Sequence, residues 1–150
     1  MKEDNVEQGG VVMTVENHGI AKEKAMSRLR DLLVLQKQVE EKFGEDGYNV
    51  FVFGSYLTVG YEEGRSDIDI AIYSEDFRTY KRLSAYLEEY FKFKGVNSDI
   101  FYIDTTVEAP IYCAPLKSKV QFTDYFPKKL VEFREKCQCK LDESKARIMT

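Results

Sequence analysis

The sequence predicts an α/β (α+β) fold: a small mixed sheet of three to four strands, with helices packed mainly on one side. Three observations predict it. A long segment, Ile20 to Phe43, repeats apolar residues at helical steps. Three short segments, Asn49–Phe53, Asp67–Tyr73 and Ser98–Asp104, are rich in β-branched and aromatic residues and read as strands. Between the second and third lies another amphipathic helical pattern, which makes a strand–helix–strand unit.

Residues 1–18 mix charge, Gly9-Gly10 and a short apolar patch, and read as a flexible arm or a segment that orders against a partner. His18, the only histidine, sits in that arm and reads as a surface residue. In the first helix Ala25, Leu29, Leu32, Gln36, Val39 and Phe43 recur at steps of four and three, with Met26 and Leu33 beside them. Gly44 stops this helix and Gly47 closes the turn. Asn49–Phe53 is apolar on both faces, as a buried strand should be. Gly54-Ser55 ends it, and Tyr56–Val59 can begin a short helix whose free N–H groups point back at that spot. Tyr61–Ser66 is a polar turn. Asp67–Tyr73 then alternates with period two: Ile68, Ile70 and Ile72 share the core face, and Asp67, Asp69, Ala71 and Tyr73 the other.

Ser74 can cap the second helix, with Phe77, Tyr80, Leu83, Leu87 and Phe91 as its stripe and Gly95 as its stop. Its RTYKR and FKFK runs admit a nucleic-acid reading, but a solvated helix face explains them better. Asp99 opens the third strand. Asp104, five residues on, points to the opposite face and either ends the strand or caps the next segment. Thr106–Ser118, with Pro110 and Pro115, reads equally as loop or short helix. Lys119–Thr123 is a brief edge strand. Asp124 caps a last helix, with Pro127 in its first turn and Phe126, Leu130, Phe133 and Cys137 on one face. Residues 140–150 read as a charged, frayed tail, which leaves 19–139 as the domain. No internal repeat is present.

A chain of 150 residues is expected to form one domain with a real core. The net charge of −4 argues against a broad electrostatic grip on nucleic acid, which needs a basic face. The acidic start lacks the layout of a signal peptide, and no apolar run approaches the roughly 20 residues that span a bilayer. Three cysteines, Cys113, Cys137 and Cys139, make a disulfide framework a poor reading and a cytoplasmic setting the expectation. Cys137-x-Cys139 lacks a second ligand pair for zinc.

The chemistry concentrates in Tyr48–Ser74. Gly54-Ser55 alone is usually a plain strand-to-helix turn. Asp67-x-Asp69 alone could be a solvent-facing edge. Carboxylates two apart on a strand lie about 7 Å from one another and repel by on the order of 2 kcal/mol at an effective dielectric near 20. Only Arg65 stands nearby to offset this, so the pair is either solvated or holds a cation. Asp99 can join it if the second and third strands are neighbours.

Together, Gly54-Ser55, eleven intervening residues, Asp67-Ile68-Asp69 and then Ser98-Asp99 resemble the motif set of the nucleotidyltransferase superfamily that includes DNA polymerase beta. The pattern is most similar to the minimal nucleotidyltransferase family, over roughly Ile20–Phe133. The resemblance implies a polymerase-beta-like palm. It implies that Gly54 and Ser55 hold the β- and γ-phosphates of ATP or another nucleoside triphosphate, with Arg65 and Ser66 as further nucleotide-binding residues. Asp67, Asp69 and Asp99 would be the catalytic residues and the ligands of two Mg²⁺ ions. The eleven-residue spacing is one longer than the family's common spacing. Nothing the size of the family's larger acceptor-binding domains comes after the third strand, so the acceptor surface is expected to come partly from another molecule. Minimal members resemble antitoxins that place AMP on a tyrosine of a HEPN-type toxin, and that is the leading expectation. Two alternatives stand beside it: nucleotidylation of a small molecule such as an antibiotic, with a second copy in a homo-oligomer completing the pocket, and an antitoxin that works by binding alone.

Overall fold

The computed structural model describes residues 5–8, 11–44 and 46–149. Of the expected arm, residues 1–4, 9 and 10 lie outside the described residues. Strands β1 (Asn5–Gln8) and β2 (Val11–Thr14) pair antiparallel with each other, apart from the main sheet. Helix α1 begins at once and runs Val15–Phe43.

The main sheet has four strands: β3 (Tyr48–Phe53), β4 (Ile68–Ser74), β5 (Ser98–Tyr102) and β6 (Val120–Gln121), in the order β5-β4-β3-β6. β3 is antiparallel to both β4 and β6, whereas β4 and β5 run parallel. The parallel pair is joined by helix α2 (Phe77–Phe93), because parallel neighbours need a long crossover. Its cap falls two residues later than the sequence suggests: Asp76 accepts the Arg78 N–H at 2.9 Å, while Ser74 stays in β4 and accepts from Asp76 N–H.

Period-two alternation sorts the strand residues onto two faces. Tyr48, Val50, Val52, Ile68, Ile70 and Ile72 form one core with α1 and α2. The stripe that α1 buries is Ala25, Arg28, Leu32, Leu35, Val39 and Phe43, so Arg28 and Leu35 take places that the repeat assigned to Leu29 and Gln36. Met26 and Leu33 face outward. Each buried leucine here contributes roughly 1.5–3 kcal/mol of apolar transfer energy.

The opposite face carries Phe51, Ala71 and Tyr73. It is covered in part by the short helix α3 (Cys113–Leu116) and by helix α4 (Lys128–Met149) through Leu116, Leu130, Phe133 and Cys137. Residues 140–149, expected to fray, continue α4. Gln138 donates to Asp142 one turn on, and Leu141 packs against this second core. The one buried polar residue of β3 is fully engaged: Asn49 donates to Gln121 and to the Tyr125 carbonyl and accepts from Thr123 N–H. This ties β6 and the approach to α4 onto the central strand.

Candidate active site

The sheet brings together residues that lie far apart in the chain. In the ladder, Asp69 has Phe53 as its partner on one side and Asp99 on the other. Phe53, Asp69 and Asp99 therefore form a row across three strands, on the face that α4 covers further along. At this end the face is open: Asp69 is partly exposed and Asp67 and Asp99 are exposed. Phe53 and Phe101 close the row's apolar side, edge to face at 5.9 Å.

Gly54 fits against this row as no other residue could. Its φ is +77°, and a Cβ built there would stand 2.2 Å from Asp69 Oδ2. The glycine is required twice, for the left-handed turn and for close approach to the carboxylate. The chain then makes a single 3₁₀ turn, Gly54–Leu57, which starts two residues before the short helix expected from Tyr56. Thr58 ends it, donating both its backbone N–H and its hydroxyl to the Ser55 carbonyl at 2.9 and 2.8 Å. The Ser55 hydroxyl makes no hydrogen bond among the described residues.

The three carboxylates are electrostatically coupled. Burial, then the charges of Asp99 and Asp67, pushes the Asp69 carboxyl above its ordinary range. Among the described residues none of the three pairs with Lys or Arg or accepts a hydrogen bond. This donor set, hard oxygen ligands with uncompensated charge beside a glycine turn, fits a divalent cation such as Mg²⁺. The carboxylates do not close into a tight cage: no three His, Cys, Asp or Glu side chains among the described residues converge as a finished metal centre. Oxygens from a bound phosphate would have to complete the coordination.

Arg65 and Ser66 are placed differently. Arg65 pairs with Glu62 at 3.7 Å in solvent, and the Ser66 hydroxyl accepts the Glu62 N–H at 3.0 Å. The turn closes on itself and directs neither side chain at Gly54 or the aspartates by any bond among the described residues. Asp104, as its parity requires, leaves the row and binds Thr106 through backbone and side chain.

A cavity of about 310 Å³ opens beside Gly54, walled by Val52, Phe53, Leu57, Ala114, Ser118 and Val120. A larger one, about 720 Å³, lies at the far end of β3 around Tyr48, Glu40 and Asp124, away from the aspartates.

Residues 33–136 match the family model described as a nucleotidyltransferase domain. The chain belongs to that family. The nucleotidyltransferase match spans the row of aspartates, the Gly54 turn and the first part of α4. It makes a nucleoside triphosphate the substrate and nucleotidyl transfer the reaction class. The mixed four-stranded sheet with its helices agrees with the polymerase-beta-like fold of this superfamily. No curated protein and no solved structure matches the chain. No helix among the described residues is long and apolar enough to cross a membrane.

Arg28 is a residue of the site that the sequence motifs do not mark. It is buried, and it donates from Nε to the Tyr56 carbonyl and from Nη2 to the Thr58 carbonyl, holding the Gly54–Leu57 turn from beneath. The available signal is an arginine at an inward step of an apolar stripe.

Proposed function

We propose that this nucleotidyltransferase domain, residues 19–139, is of the minimal type and moves AMP from ATP to a tyrosine hydroxyl of a HEPN-type toxin, acting as its antitoxin. The observation that carries the reading is the row Phe53–Asp69–Asp99 with Gly54 closed against Asp69. It supports the reading by setting a left-handed glycine turn directly beside a row of carboxylates.

Gly54 and the unengaged Ser55 hydroxyl receive the β- and γ-phosphates, with Arg65 and Ser66 swinging from their turn to reach the same oxygens. Asp67, Asp69 and Asp99 would hold two Mg²⁺ ions. When bound, the ions supply charge neutralisation at the triphosphate and at the attacking oxygen. Asp99, at the exposed end of the row, takes the proton from the acceptor hydroxyl. The hydroxyl oxygen forms a bond to the α-phosphorus, the bond to the bridging β-phosphate oxygen breaks, and pyrophosphate leaves with that electron pair. The exposure of Asp67 and Asp99 supports a macromolecular acceptor that brings its own surface to the site. Unpaired Cys113, Cys137 and Cys139 support a cytoplasmic setting.

The test incubates α-labelled ATP and Mg²⁺ with source-cell lysate and compares the wild-type protein with Asp67→Asn/Asp69→Asn. A labelled protein band with wild type alone supports the reading. Label on a small molecule and on no protein favours antibiotic-type transfer instead. No label, together with no ATP binding in calorimetry, leaves a domain that acts by binding alone and overturns the proposal.

A further inference from the structure

The first helix contains a feature that its packing role does not explain. Arg28 occupies a core position of α1, 8% exposed, where each neighbouring inward step holds an apolar side chain. Burying a guanidinium is unfavourable unless it is paired and hydrogen-bonded. Among the described residues no carboxylate lies within ion-pair distance of it. Its compensation comes from two backbone carbonyls, Tyr56 O and Thr58 O (the latter at 2.9 Å), and from the rings of Tyr61 and Tyr56, with centroids 4.7 and 5.7 Å away. The first carbonyl belongs to the turn that begins at Gly54-Ser55 and the second to Thr58, the residue that caps it. The planar fork fixes two peptide planes at once, which a lysine could not do. A positive charge thus sits beneath the turn with no ion-pair partner among the described residues, the nearest carboxylate influences on its two tyrosine rings coming from Asp31, Glu63 and Asp67 at longer range.

We infer that Arg28 is a positioning residue for the triphosphate: it holds the Gly54–Leu57 turn in its phosphate-receiving form, and its positive charge, not tied up in a direct ion pair, favours an anion on the turn's outer side. The inference rests on the reading that Gly54-Ser55 receives phosphates. Carbonyl groups solvate the guanidinium but leave its net charge in place, and that charge acts through a poorly screened interior. Arg28 does not touch the reacting atoms. It acts through the turn.

The test uses the full chain and the variants Arg28→Met, which keeps the bulk, and Arg28→Lys, which keeps the charge but not the fork. Two readouts are taken: amide hydrogen exchange at Ser55–Thr58 in the ligand-free protein, and calorimetric affinity for Mg·ATP, AMP and adenosine. Exchange at Ser55–Thr58 should quicken in both variants while the sheet amides stay protected. In Arg28→Met, Mg·ATP affinity should fall about tenfold to hundredfold, the fold-change of one or two charge-assisted hydrogen bonds. AMP affinity should fall less and adenosine affinity hardly at all, with Arg28→Lys recovering part of the ATP loss. A merely structural arginine would weaken all three ligands alike, and that result overturns the inference. So does unchanged exchange at the turn. If the wild type binds no ATP, the nucleotide reading fails instead, and the exchange data alone decide whether Arg28 holds the turn. Should Arg28→Met not fold, Arg28→Lys carries the same comparison.

Discussion

Replacing Asp69 by asparagine should stabilise the ligand-free protein while destroying its chemistry. Asp69 and Asp99 are register partners on neighbouring parallel strands, which lie about 4.8 Å apart. Two charges at about 5 Å repel by roughly 3 kcal/mol at an effective dielectric of 20 and by about 1 kcal/mol in bulk water. Asp99 is exposed, so the lower end applies, and Asp67 adds a smaller contribution of the same sign. Asparagine keeps the shape that fits Gly54 and removes the charge. A gain near 1 kcal/mol in a chain of this size raises Tm by about 2–4 °C. The pH dependence has a definite sign. Burial and the two neighbouring carboxylates raise the Asp69 pKa in the folded state, so the folded protein holds that proton more tightly than the unfolded chain. Stability contributed by the protonated form is lost as pH rises through the raised value. The variant's advantage is therefore complete at pH 7 and fades on acidification towards the ordinary aspartate range, about 4. Differential scanning calorimetry in EDTA measures it directly. Excess Mg²⁺ with ATP should then raise the wild-type Tm and leave the variant almost unmoved. A variant less stable than wild type in EDTA at pH 7 would refute the reasoning, because the carboxylate would then be held by a favourable contact.

Three further outcomes are expected. Gly54→Ala should cost about 1–3 kcal/mol in urea unfolding, because alanine resists a φ of +77° and its Cβ meets Asp69; adding Asp69→Ala should recover the clash but not the backbone strain. Leu35→Ala should cost about 2–5 kcal/mol and Leu33→Ala within about 0.5, since the first is fully buried and the second is 52% exposed. Glu75→Gln should weaken the junction of β4 with α4, where Glu75 accepts from Tyr73, Tyr125 and Lys129. These bonds, Lys129 first, hold the Glu75 carboxyl below its ordinary range, so its contribution is present at neutral pH and lost on acidification. With both partners about half exposed, the effect should stay under about 1 kcal/mol, and chemical denaturation at pH 7 against pH 4 reads the difference.

The strands and the aspartate row are legible in the sequence because period-two alternation carries their information directly: Asp67, Asp69, Ala71 and Tyr73 share a face, and parity sends Asp104 away from it. What the alternation does not carry is cover. Ala71 and Tyr73 lie under α4 while Asp69 stays open, and only the placement of α4 decides that. In α1, helical periodicity fits two neighbouring stripes nearly equally well, so it favours Gln36 and Leu29 where the fold buries Leu35 and Arg28. A charged residue at an inward step looks like a break in the pattern until its carbonyl partners, 28 and 30 residues downstream, are known. The turn after Gly54 begins before the residues that suggest a helix, and Thr58, in extended backbone, closes it by donating its N–H and hydroxyl to the Ser55 carbonyl.

The ladder that fixes Asp69 between Phe53 and Asp99 also works as a ruler. The separation of the key carboxylates is inherited from the repeat of inter-strand hydrogen bonding and not from any loop. The connection between Ser55 and Asp67 can therefore grow or shrink without detuning the site. Its slack is taken up where Arg65 and Ser66 both bond back to the Glu62 carbonyl and Gly64 turns with φ of +81°. The extra length of the eleven-residue connection is taken up there, in a turn that bonds to itself and, among the described residues, not to the sheet.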